Sequence, residues 1–187
     1  MTLLLILLAV LPTIFMIVFI YYKDSYEKEP VGLLVSLFAL GMAGTIPAVA
    51  YETAGDAFIG LFFYKNSGIY NLISAFLGVA LVEEGVKFIA LYFRTWKNPN
   101  YNYKFDGIVY AVLVSLGFAT VENILYVLEG GLSVAIARAL LSVPSHAIDA
   151  VYMGFYYGYA KYYDSIGIVR RRNKNLRMAV FVPVLLH

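Results

Sequence analysis

The 187-residue chain contains no cysteine. Disulfides, thiolate metal sites and a catalytic thiol are therefore excluded. Charge is scarce as well: only 14% of residues are Asp, Glu, Lys or Arg, and the formal net charge is +2. So small a charge gives no electrostatic footprint for nucleic acid. There are two histidines in the whole chain, His146 and His187. No glycine-rich phosphate loop, no internal repeat and no low-complexity tract interrupts the sequence. No Ser/His/Asp arrangement stands out either. What fills the chain is apolar: 61% of residues are hydrophobic and the mean hydropathy is +0.76. Soluble domains sit nearer half apolar and a quarter charged. The composition is that of a polytopic, all-α membrane protein.

The apolar runs are long enough to span. A bilayer core of about 30 Å needs roughly 20 apolar helical residues. The pattern predicts helices over Thr2–Tyr22, Val31–Tyr51, Ile69–Phe93, Gly107–Leu128 and Leu132–Ala160, with a sixth starting near Met178. The expected architecture is one membrane-embedded helical domain over residues 1–187, a bundle of about six spans. Residues 1–22 form its N-terminal anchor, and about 69–187 form its motif-bearing core. The last run, ten residues from Met178 to His187, is too short to span and is expected to be a truncated helix. The first run is not preceded by a basic residue and is followed by "YYKDSYEKEP", a poor cleavage site, so it is expected to be retained. The 52–68 linker, "DAFIGLFFYKNSG" in its apolar part, is too short to span. It is expected to be an interfacial or re-entrant helix, or a lid.

Basic residues orient the bundle. With alternating spans, one side collects Lys23, Lys28, Arg94, Lys97, Lys104, Lys161, Arg170, Arg171, Arg172, Lys174 and Arg177, and the other side has only Lys65. The excess of Lys and Arg marks the cytoplasmic side. The expected location is the plasma membrane, with the N-terminus outside. Tyr21, Tyr22, Trp96, Tyr101, Tyr162 and Tyr163 fall where an interfacial aromatic belt lies.

Within this apolar background "LVEEGVKFIA" (81–90) places two adjacent carboxylates and a lysine. Ionisable groups inside a membrane cost at least a few kcal/mol each and mark function. The predicted spans hold Glu83, Glu84, Lys87, Glu122, Arg138, His146, Asp149 and His187. At 1.5 Å rise per residue, Glu84 lies ~15 Å above Arg94, Glu122 ~24 Å above Asp106, His146 ~22 Å above Lys161 and His187 ~15 Å above Arg177. Four helices thus deliver polar groups to one broad layer, which predicts a shared intramembrane pocket. Lys87 is within reach of both glutamates by helical spacing. The two glutamates diverge by ~100° around the axis, so one is expected to face the pocket while the other pairs with Lys87 or a neighbouring helix. Arg138, Ser142, Ser145 and Asp149 form a stripe, with His146 at its edge. Pro144 is expected to kink that helix.

Four motifs in order, on successive helices, carry a family resemblance. They are "EEGVK" (83–87), "FATVEN" (118–123), "PSHAIDAVYMG" (144–154) followed by Gly158, and "PVLLH" (183–187). The set resembles the PrsW family of membrane-embedded proteases. It is similar in logic to the type II CAAX prenyl proteases, but Lys87 comes one residue earlier than their arginine and Glu122 stands where they carry histidine. The resemblance implies peptide-bond hydrolysis, with Glu83, Glu84, Glu122, Asn123, His146 and His187 as the catalytic set and Lys87, Asp149 and Arg138 in support. A glutamate near a like-charged neighbour in a low-dielectric pocket is a competent base for water. His146, Asn123 and His187 are candidates for binding the developing oxyanion. A zinc or other divalent ion on Glu83, His146 and His187 is the competing version of the same site, with the second glutamate as base. The implied substrate is a single-span membrane protein, such as a membrane-bound anti-sigma factor. A proton- or ion-coupled transporter would line a cavity with the same residue types, and a non-catalytic assembly subunit would keep them for packing. Both stand as alternatives, as does a CAAX-type prenyl protease.

Overall fold

The computed structural model describes residues 2–24, 27–65 and 67–187, and every regular element among them is helical. Helices α1 (Thr2–Lys23) and α2 (Val31–Ile59) are followed by the short α3 (Gly68–Ile73). A π-helical segment, Ser74–Ala80, then leads without a break into α4 (Leu81–Thr95). Helix α5 (Asp106–Ala137) passes through a second π-helical segment, Arg138–Ser142, into α6 (Val143–Ser165). Helix α7 (Val169–Leu186) completes the set.

The centre of the bundle is α5. Its first half, from Val109 to Thr120, is buried throughout, and it packs against α1, α2 and α6. Lipid tails are as apolar as leucine, so close packing rather than water exclusion holds such helices together. Two contacts show this. A Cβ at Gly117 would lie 2.1 Å from the Phe38 carbonyl oxygen, and one at Gly154 would lie 2.4 Å from that of Gly107. Only glycine lets α2 and α6 come that near to α5. The outer helices carry the opposite pattern: α1 has a mean hydropathy of 3.1, yet only 22% of its apolar window is buried. Leu3, Leu7, Phe15 and Phe19 point away from the bundle, where lipid would cover them.

Among the described residues, three continuous stretches are long and apolar enough to cross a membrane: Thr2–Lys23, Val31–Ile59 and Asp106–Ser165. The third, 60 residues long, contains two of the expected spans. Gly131 divides them with a backbone at φ 72°, ψ −155°, a conformation open to glycine and costly elsewhere. The stretch over 68–95 is helical as expected, but Glu83, Glu84, Lys87 and Arg94 set it apart from the apolar spans.

Three borders differ from the sequence expectation. Helix α2 does not stop at Tyr51 but runs two further turns to Ile59, so half of the expected 52–68 linker is helix. Residues 60–62 then turn, and the chain is tied back to α2 by Lys65 at 3.1 Å from Asp56 and by the Tyr70 hydroxyl of α3 donating to the same carboxylate. The last helix begins at Val169 rather than near Met178. Arginine and lysine are good helix formers, so the basic run 170–177 is the solvated start of α7 and not a linker.

Candidate active site

Both π-helical segments adjoin the polar layer. One runs directly into Leu81, two residues before Glu83, and the other ends at Ser142, one turn before His146. Such wide turns re-aim the side chains that follow and recur at functional sites. Pro144 comes directly after the π-helical segment, so the N–H that proline lacks falls where the regular hydrogen-bond ladder is already interrupted.

Lys87 is the hub. Its ammonium donates to Glu83 Oε2 at 2.9 Å and to Glu84 Oε1 at 2.8 Å, and lies 4.4 Å from the centre of the Phe118 ring. The two glutamates do differ in place, Glu83 lining the cavity and Glu84 not, but Lys87 is not given to one of them alone: its long side chain reaches across ~100° of helix surface and serves both. Its third contact is His146 Nδ1 at 3.2 Å. An ammonium can only donate, so Nδ1 accepts and the ring proton sits on Nε2. That nitrogen donates to Glu122 Oε2 at 2.9 Å.

Glu122 is held in turn by Arg138, whose Nη2 lies 3.1 Å away. Arg138 Nε donates to Asn123 Oδ1 at 2.7 Å, and the guanidinium lies over the Tyr126 ring at 4.4 Å. Asn123 is buried behind this arginine, and its amide donates to the Ala9 carbonyl at 3.4 Å. It does not line the cavity. His187, from the end of α7, brings Nδ1 to 3.3 Å from Glu84 Oε1 and 3.8 Å from Asp149 Oδ2, and Nε2 to 3.9 Å from Glu83 Oε2. Asp149 thus faces His187 and not Arg138. Ser115 of α5 fixes the backbone at His146 by donating to its carbonyl at 2.9 Å.

These groups border a cavity of about 250 Å³, whose lining includes Glu83, Glu122, Arg138, Ser142, Ser145, His146 and His187. It is also lined by Glu52 of α2, which sequence reasoning missed. The predicted border at Tyr51 put Glu52 in an external linker. The signal for a longer helix was weak: Ala54, Ala57, Phe58 and Ile59 carry the apolar pattern past two acidic residues, with no proline to stop it.

The donor set suits a divalent ion. One donor atom from each of Glu83, Glu84, His146 and His187 lies within 4.8 Å of the others. Two carboxylates and two imidazoles are ligands that zinc accepts. Glu84 Oε2 and Asp149 Oδ2 are buried with no hydrogen-bond partner, so this corner has acceptor capacity that the chain leaves unfilled. His146 shows the second-layer support that ligating histidines carry: one nitrogen turned to the carboxylate corner, the other donating to Glu122. Lys87 now occupies the lone pairs of three of these residues.

The fold and site together define a helical membrane protein with a buried cluster of carboxylates and histidines. A model of the family described as "PrsW family intramembrane metalloprotease" matches residues 29–187, and the chain belongs to this family. Several relatives named "Protease PrsW" agree. The protein of Geobacillus kaustophilus (strain HTA426) is 38% identical over 180 residues, covering 95% of this chain and 74% of its own. That of Bacillus subtilis (strain 168) is 36% identical over 94% of this chain and 76% of its own, and that of Clostridioides difficile (strain 630) is 35% identical over 97% and 75%. No solved structure matches. The resemblance expected from the four motifs is thereby shown. The protein is a membrane peptidase, and the transporter and assembly-subunit alternatives give way.

Proposed function

We propose that this cavity hydrolyses a peptide bond in a membrane-anchored protein, with Glu83 as the base that activates water. What supports the choice of base is one observation: Glu83 lines the cavity, whereas Glu84 is fully buried behind it with Oε2 unpaired. Glu84, His146 and His187 would then hold a divalent ion, zinc by the chemistry of the donors. Bound there, the ion supplies Lewis-acid polarisation and an acidified water. Glu83 takes the proton of the attacking water and returns it to the leaving amine. Lys87 holds both glutamates in place through its two charge-assisted hydrogen bonds. Glu122 orients His146 through Nε2. Arg138, braced by Glu122 and Asn123, lines the cavity as a fixed cation for the developing oxyanion.

The substrate class follows from depth and shape. Glu84 lies ~15 Å from the basic end of the bundle and Glu122 ~24 Å. A folded soluble domain does not bring a peptide bond there. An extended segment is tolerated at that depth only where polar groups replace its lost hydrogen bonds, and this cavity provides them. The substrate is therefore a single-span protein cut at or near the external side of its span, of the kind exemplified by membrane-bound anti-sigma factors. The test is reconstitution of the protein in liposomes with a single-span substrate and, separately, with the soluble ectodomain of that substrate. The anchored form should be cleaved and the ectodomain spared. Equal cleavage of both overturns the membrane-substrate assignment.

A further inference from the structure

Glu52 is the unbalanced charge of the cavity. Of the carboxylates that line it, Glu83 is bound by Lys87, and Glu122 by Arg138 and His146. Glu52 has no hydrogen bond or ion pair to any described residue. Its placement is not accidental to the packing. Helix α2 comes so close to the first π-helical segment that a Cβ at Gly55 would stand 3.8 Å from the Gly78 Cα. Glu52, one turn earlier, thereby shares the cavity wall with Val79. The side chain is half-buried at the edge of the site and not sunk in it.

The surroundings make an unpaired carboxylate costly. Glu52, Glu83, Glu84, Glu122 and Asp149 bring five carboxylates to this region, against two fixed cations, Lys87 and Arg138. A divalent ion on the donor set would still leave acid in excess by one. An unneutralised carboxylate in a low-dielectric cavity draws a cation strongly, and the chain supplies none at Glu52. We propose that Glu52 is a specificity residue that binds a basic side chain, lysine or arginine, of the substrate segment next to the bond that is cut. This inference rests on the proteolytic reading of the cavity. The carboxylate accepts the charge-assisted hydrogen bonds of the substrate's ammonium or guanidinium. It thereby fixes the register of the extended segment relative to Glu83.

The experiment uses the reconstituted protein and a single-span substrate whose cleavage position has been mapped by mass spectrometry. Lysine, glutamine or glutamate is placed in turn at each residue flanking that position, and kcat/KM is measured for wild type, Glu52→Gln and Glu52→Lys. Wild type should favour lysine at one flanking position by roughly tenfold or more, the worth of a charge-assisted bond in a buried site. Glu52→Gln should lose that preference while cleaving the glutamine substrate within about twofold of wild type, and Glu52→Lys should favour glutamate at the same position. Preference for lysine that survives Glu52→Gln overturns the assignment. So does a uniform loss of cleavage in Glu52→Gln with unfolding unchanged, which would make the residue part of the general machinery. If wild type cleaves with no charge preference, the inference falls alone. If it cleaves no anchored substrate, the proteolytic reading falls with it.

Discussion

Replacing Lys87 with methionine isolates what holds the site together. The substitution keeps the length and volume of the stem and deletes the charge. Lys87 is 1% exposed, and its two glutamate partners are 4% and 0% exposed. Without the ammonium both carboxylates remain buried, adjacent and unpaired. Removing one partner of a buried ion pair costs about 3–5 kcal/mol. Here one cation serves two anions, while His187, 3.3 Å from Glu84 Oε1, offers partial compensation. The expected loss is therefore about 3 kcal/mol or more. It can be read from SDS-titrated unfolding in mixed micelles. The triple variant Glu83→Gln/Glu84→Gln/Lys87→Met should recover most of the loss, because no unpaired charge is left inside. That non-additivity is the signature of a coupled cluster. The reasoning is refuted if Lys87→Met unfolds within about 0.5 kcal/mol of wild type, the range of an ordinary surface change.

Glu122→Gln leaves the bundle intact but removes the carboxylate that fixes the His146 proton on Nε2 and braces Arg138. Activity should fall about 10- to 100-fold, the usual cost of losing such a support, with little change in unfolding; an unchanged rate would contradict the role given to it. In the linker before α2, burial pushes the Glu29 carboxyl up from 4.5 to about 7, and Asp106, Asp24 and Glu27 push the same way against its hydrogen bond from Tyr110. The folded state therefore holds this proton more tightly than the unfolded chain, so its contribution to stability is full below pH 4.5 and is lost as pH rises through about 7. Glu29→Gln should flatten unfolding stability across that window, and an unaltered pH profile would disprove the assignment. The cysteine-free chain allows a direct topology test: Tyr64→Cys should react with an impermeant thiol reagent from outside intact cells and Asn100→Cys should not. Labelling in the reverse pattern overturns the orientation drawn from the basic residues.

Much of this site was legible because membranes penalise buried charge. Against an apolar background each of Glu83, Glu84, Lys87, Glu122, Arg138, His146, Asp149 and His187 stood out, and counting helical rise put Glu84, Glu122, His146 and His187 in one layer. What stayed hidden depended on geometry that residue spacing does not carry. Two π-helical segments shift the faces presented at Glu83 and His146. One lysine spans both glutamates, where helical angle alone separated them. Asn123, next to Glu122 in sequence, points to the other side of α5 and serves Arg138 and Ala9. Glu52 was lost to a border placed at the polar pair Tyr51–Glu52, although the helix continues to Ile59. The start of α7 was missed for the related reason that hydropathy reports where a helix meets lipid, not where it begins.

The central claim is that Glu83, facing the cavity, activates the water that cuts a membrane-anchored substrate. The most direct test is the single-turnover cleavage rate of one single-span substrate in liposomes by wild type and by Glu83→Gln, with unfolding measured on the same preparations. A general base contributes about 10² to 10⁴ in rate. The account predicts a loss of at least about 100-fold in Glu83→Gln, with folding stability equal to or above that of wild type because a buried repulsion has been relieved. Cleavage by Glu83→Gln at the wild-type rate would contradict it.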